Sequence, residues 1–112
     1  MKIILNNIQY DICNCDTFTK RIFTLVGKKN INKAYYYQNE NKVHTFFLFD
    51  NVDIIGINKK NIVIFKYLDV PRNKIVEISN DKNNTDIFII PLKSSCSIKI
   101  GDNLTFVREY EI

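Results

Sequence analysis

The sequence predicts a β-dominated α+β domain, a strongly bent sheet or partly closed small β-barrel of short strands with one helix in the N-terminal half. Three observations carry this prediction. Short apolar runs recur along the chain, separated by breaks rich in Asn, Asp, Gly and Pro, which is the spacing of a many-stranded sheet. The aliphatic residues lean toward Ile, which is β-branched, stiff at χ1 and favoured in strands. A single segment has helical periodicity. The 112 residues are expected to form one domain, 1–112. A chain of that size buries about two-thirds of the surface its unfolded form exposes, enough for one sizeable core.

Residues 2–5 and 9–13 read as two strands joined by an Asn6-Asn7 turn, because Asn tolerates the positive φ of tight hairpins. Asp16 then stands as an N-cap before residues 17–27. There Phe18, Ile22, Leu25 and Val26 fall on one helical face, and Gly27 with Lys28-Lys29 makes a stop. A strand is expected over 34–37. Residues 43–49 and 53–58 read as two strands around a polar break at Asp50-Asn51. As a two-residue hairpin they would set Phe49 opposite Val52 and Leu48 opposite Asp53. Residues 62–68 form a near-continuous apolar strand, the kind covered on both faces, and the segment around Pro71 interrupts it because proline cannot donate to a ladder. Further strands are expected over 75–78, 87–90 and 104–107. Residues 79–84 read as an exposed loop and 93–97 as a single turn. Gly101-Asp102 reads as a structural turn, with Gly supplying positive φ and Asp a local bond to backbone.

Hydrophobic residues at 46% and charged residues at 25% are those of an ordinary globular chain. The formal net charge is +4, but the lysines are scattered apart from the doublets Lys28-Lys29 and Lys59-Lys60. A nucleic-acid surface concentrates such charge on one face, so a protein or small-molecule partner is expected instead. No apolar stretch reaches the length of a membrane span. The first apolar run is too short for a signal peptide, and the cysteines, Cys13, Cys15 and Cys96, are odd in number. A reducing cytoplasm with unoxidised thiols is therefore expected.

Histidine occurs once, at His44, and Asp53 lies close by in sequence. A histidine beside a carboxylate can act as a general base. With Thr45 and Arg21, these residues define a candidate polar pocket, although no Ser or Cys nucleophile stands at a recognisable spacing. The plainer alternative makes His44 a strand-end residue bonded to backbone. Asp53 is expected to be buried and hydrogen-bonded in either case, with Arg21 or the N–H groups of the preceding loop as donors, because an unpaired carboxylate on an apolar face is costly. Cys13-x-Cys15 with Cys96 and His44 could in principle bind zinc. Cys-x-Cys without a second pair reads better as core packing, so neither metal nor cofactor is expected. Of Tyr35-Tyr36-Tyr37, strand alternation sends Tyr36 to the face opposite its neighbours, and packing on an edge strand is preferred to a base-stacking platform. Arg21 and Arg72 suit bidentate pairing with Asp53 or Asp102.

The order of these motifs resembles a bacterial and archaeal family, domain of unknown function 192. The resemblance is carried by Thr17, Arg21, Thr24 and Leu25 in the helix segment, His44-Thr45-Phe46-Phe47-Leu48 and Val52-Asp53-Ile54 in the strands, Pro71, and the Gly101-Asp102 turn. It spans about residues 10–106. Thr24 departs from the family's glycine, Leu48 from its methionine, and Gly56 from a bulky apolar residue. The resemblance implies a fold and no activity. The expected function is a small binding or accessory module without catalytic activity. The alternative is a small enzyme or ligand-binding protein with a polar pocket around His44 and Asp53.

Overall fold

The computed structural model of the chain describes residues 1–15, 31–45, 48, 50–77 and 82–107. The helix expected over 17–27, with Arg21 on it, lies outside the described residues, as do Phe46, Phe47 and Phe49.

Nine strands are described: β1 (Lys2–Leu5), β2 (Ile8–Asn14), β3 (Ala34–Tyr37), β4 (Lys42–His44), β5 (Val52–Ile57), β6 (Val63–Val70), β7 (Ile75–Glu77), β8 (Asp86–Pro91) and β9 (Thr105–Val107). Seven of them form one sheet in the order β6-β5-β8-β3-β2-β1-β9, and β4 pairs with β7 as a separate ribbon. The β1–β2 hairpin turns on Asn6 and Asn7 at φ 51° and 63°, the double positive φ of a type I′ turn, whose twist matches that of its strands. Only β2 and β3 pair in parallel among these strands, which requires a crossover of a dozen or more residues. The chain between them, 15–33, has that length.

The expected hairpin around Asp50-Asn51 does not form. His44 and its strand pair with β7, with His44 opposite Ile75, while β5 lies between β6 and β8. Val52 is opposite Val70 and Pro91, and Asp53 is opposite Ile90, so neither pairs within its own neighbourhood. The two-residue break looked like a turn because local patterning cannot see that both partners of β5 come later in the chain. Strand β6 is also less enclosed than expected: Val63 is buried, Ile64 and Phe65 are half-buried, and Tyr67 and Leu68 are exposed. It is an end strand of the sheet rather than a central one.

The two ends of the sheet meet. Val63 N donates to Asp102 O at 2.8 Å, Gly101 N to Val63 O at 2.8 Å, and Leu104 N to Asn61 O at 2.9 Å. The start of β6 is thereby stitched to the segment that leads into β9, and the sheet curls into a half-barrel. This is the bent, partly closed sheet expected; the segment expected to be helical lies outside the described residues. Gly101 sits at φ +97° in this seam, a conformation that L side chains rarely adopt. Asp102 closes the turn by accepting from Lys99 N at 2.9 Å.

Strand alternation then sorts side chains onto two faces. The inner cluster draws Ile3 and Leu5 from β1, Ala34 from β3, Ile55 and Ile57 from β5, Val63 from β6, and Phe88 and Ile90 from β8, with Ile98 and Leu104. Residues from both ends of the sheet share it, as the inside of a curl requires. The outer cluster packs Tyr35, Tyr37, Val52, Ile54, Ile87 and Ile89 against Val43 of β4 and Val76 of β7. The ribbon is thus a second layer, and the sheet is buried on both faces around β5 and β8. No helix among the described residues is long and apolar enough to cross a membrane.

Candidate functional site: the open end of the half-barrel

The inner face carries two buried carboxylates, Asp53 and Asp86. Asp53 pairs across from Ile90, four residue steps along β8 from Asp86, which separates the two by about 13 Å along the strand.

At the Asp53 end the half-barrel is closed. Beyond Pro91 the chain turns sharply, with Ser94 Oγ bonded to Pro91 O, and it folds back so that Ile98 enters the inner cluster. Asp53 is 1% exposed. Its Oδ2 accepts from Ser95 Oγ at 2.7 Å and from Ser95 N at 3.4 Å, and its Oδ1 accepts from Asp69 N at 3.0 Å. The last bond depends on a bulge. Val52 pairs with Val70 and Ile54 with Tyr67, so Leu68 and Asp69 together oppose Asp53, and Asp69 takes φ 55°. A bulge of this kind re-aims a backbone group, and here it presents an N–H to the carboxylate. Asp53 is therefore buried and bonded, as expected. Its donors are Ser95 and the β6 bulge rather than the loop before it.

At the Asp86 end the described residues leave the half-barrel open. A cavity of about 410 Å³ is lined by Met1, Ile12, Asn14, Tyr36, Ile57, Asn61, Phe88 and Phe106, within the size range of small-molecule sites. Its aromatic wall is a row of three rings: Tyr36 and Phe88 have centroids 4.8 Å apart, and Phe88 and Phe106 6.0 Å apart. Such tilted contacts suit the ring quadrupoles and hold the wall in place. The rim is built from tight turns in which Asn39 and Asn61 take φ 53° and 62°. Asn58 Oδ1 accepts from Lys60 N and Ile62 N across the second of these turns.

Asp86 anchors this rim. Tyr36 Oη donates to its Oδ2 at 2.8 Å. Its Oδ1 accepts from Asn39 N at 2.9 Å and from Lys59 Nζ at 2.8 Å. The Asp86 side chain is 7% exposed and that of Lys59 41%, so the lysine compensates the carboxylate from the solvent side. Burial, then the bond to Asp86, pushes the Tyr36 phenol well above its ordinary range, so the hydroxyl keeps its proton. With three donors on it, Asp86 orients its neighbours.

The residues of the candidate polar pocket are not gathered here. Thr45 is fully buried and ties down the turn before β7, donating to Pro71 O at 2.7 Å and accepting from Lys74 N at 3.0 Å. His44, half-buried, alternates with the core residue Val43 on the ribbon, whereas Asp53 shares the inner face of the main sheet with Ile55 and Ile57. Their two layers keep them apart. Arg21 lies outside the described residues. Cys13, Cys15 and Cys96 carry thiols rather than a disulfide; Cys13 and Cys15 pack in the outer cluster, and Cys96 is exposed. Among the described residues no group of three His, Cys, Asp or Glu side chains is placed to hold a metal ion. Tyr35 and Tyr37 enter the outer cluster while Tyr36 turns inward, as alternation requires. Strand β3 is internal to the sheet, however, not an edge.

Sequence reasoning missed the open end because most of its lining residues read singly as core. One signal was available. Asp86 heads an otherwise apolar strand, yet is itself buried, and a buried carboxylate demands partners.

Comparison with known proteins places the fold and not the function. No family model matches the chain, and no curated protein matches it. Two solved structures share its architecture. One is a protein of unknown function from Novosphingobium aromaticivorans, with a TM-score of 0.72 and 9% identity, covering 94% of this chain and 82% of that one. The other, described as a candidate transcription regulator, is from Sinorhizobium meliloti; the TM-score is again 0.72 at 9% identity, covering 93% and 89%. At this identity the likeness shows a shared fold alone.

Proposed function

We propose that this chain is a small, single-domain, non-catalytic binding module whose site is the aromatic cavity at the open end of the half-barrel. One observation carries the reading: the two ends of the inner face are treated differently. The Asp53 end is filled by the segment after β8, whereas the Asp86 end leaves a cavity of about 410 Å³ walled by Tyr36, Phe88 and Phe106. Small-molecule sites are concave and mainly apolar with a few placed polar groups, and this cavity has that make-up. The partner in this reading is a small molecule rather than nucleic acid. A cytoplasmic location is supported by three thiols held without a disulfide. Kinship with domain of unknown function 192 is part of the proposal, supported by the order of the motifs and by the β-dominated fold.

The test is a calorimetric screen of small aromatic compounds against the wild-type protein and an Ile12→Trp variant. Ile12 lines the cavity from β2, and the larger side chain should fill the space. Binding by the wild type and its loss in Ile12→Trp are expected. Equal binding by both proteins would overturn the assignment of the site.

A further inference from the structure

We propose that the cavity selects a planar, non-cationic heteroaromatic ring carrying an N–H donor, and that the Tyr36 hydroxyl oxygen receives this donor. The inference rests on the binding reading above and adds the chemistry of the ligand.

The shape argument comes first. Tyr36, Phe88 and Phe106 form one wall, with Ile12 and Ile57 among the other lining residues. Ring faces and aliphatic branches suit a flat apolar body. Charge comes next. The lining side chains among the described residues are neutral, the terminal ammonium belongs to Met1 at the same mouth, and the nearby carboxylate of Asp86 is already compensated by Lys59. A cationic ligand would leave water without a counter-charge, which is costly.

The polarity of the hydrogen bonds then decides the ligand's edge. Tyr36 has one hydroxyl proton, and that proton is committed to Asp86 Oδ2 at 2.8 Å. Toward any ligand its oxygen can only accept. Hydrogen bonding to an anion also polarises the hydroxyl and strengthens it as an acceptor. Burial and the Asp86 bond both raise the phenol's pKa, so this polarity holds across the neutral range. A ligand must therefore bring a donor to Tyr36. Asn14 and Asn61 also line the cavity, and their carboxamides can each give and accept at the rim, suiting a heterocycle with further polar edges.

The experiment compares indole with benzofuran, two fused rings of nearly equal shape of which only indole has an N–H. Titration calorimetry on the wild-type protein should favour indole by about 3- to 10-fold, the worth of one net hydrogen bond. In Tyr36→Phe, which keeps the ring and removes the acceptor, the preference should fall to about 1-fold on the same reasoning. Equal wild-type affinity for the two rings would overturn the donor assignment and leave the binding site standing. Failure of both rings to bind would overturn the site and the ligand chemistry together. The wild-type comparison decides the donor requirement even if Tyr36→Phe does not fold, and an indole preference retained in a folded Tyr36→Phe would overturn the assignment to Tyr36.

Discussion

Two aspartates on one face show how a single residue type is put to opposite uses. Asp53 is enclosed by Ser95 and the Asp69 N–H, so Asp53→Ala should cost about 1–3 kcal/mol by stranding buried donors. Ser95→Ala should cost less, and the double variant less than the sum of the two, because neighbours that share a bond are not additive. Urea unfolding of the four proteins measures this, and strict additivity would count against the pair. The burial of Asp53 was legible in the sequence from an acidic residue inside an apolar run. Its donors were not, because Ser95 is 42 positions away and the bulge that turns Asp69 inward leaves no local signature. The phenols give a second expectation. Burial foremost raises Tyr36 and Tyr37 above the ordinary value, with Asp86 adding to the first and Cys15 to the second. Above about pH 10 the unfolded chain releases these protons before the folded one does, so stability present at neutral pH should decline as pH climbs past that point. Tyr37→Phe should flatten the decline in unfolding series run from pH 8 to about 11. A slope unchanged by the substitution would argue that the phenol is not held protonated by the fold.

Elements defined by their own local chemistry were legible, and elements defined by distant partners were not. The Asn6-Asn7 turn and the Ala34–Tyr37 strand both stand where their residues put them, because turn propensity and alternation act over a few positions. The supposed hairpin at Asp50-Asn51 failed for the complementary reason. Strand β5 takes β6 and β8 as neighbours, and such pairing depends on the whole sheet. The seam between β6 and the turn before β9 is the element that curls that sheet. Gly101 at φ +97° and Asp102 bonded to Lys99 N define it. Gly101→Ala should destabilise by about 1 kcal/mol or more, since nothing within 4 Å obstructs a Cβ and the cost is conformational. Asp102→Ala should also lower the melting temperature. Unchanged melting temperatures in both variants would show that the seam contributes little.

At the scale of the whole molecule, a curled sheet with one end filled and the other open turns an interior into a site. Its lining comes from β2, β3, β5, β8 and β9 together with flanking turns. Ile12, Ile57 and Phe88 each obey the ordinary rule that apolar residues go inside, so no short motif announces the cavity. Only closure of the sheet, which no local pattern encodes, brings them to one mouth. His44 and Asp53 were the conspicuous residues in the sequence, yet the fold assigns them to separate layers. The central claim is that ligands enter the inner face at the Asp86 end. Methyl NMR during an indole titration tests it most directly, because isoleucines report from both faces of the same strands. The account predicts progressive shifts of the Ile12 and Ile57 methyls, while Ile54 and Ile87 on the outer face stay in place. Shifts concentrated at Ile54, Ile87 or Val76, with Ile12 and Ile57 unmoved, would contradict it.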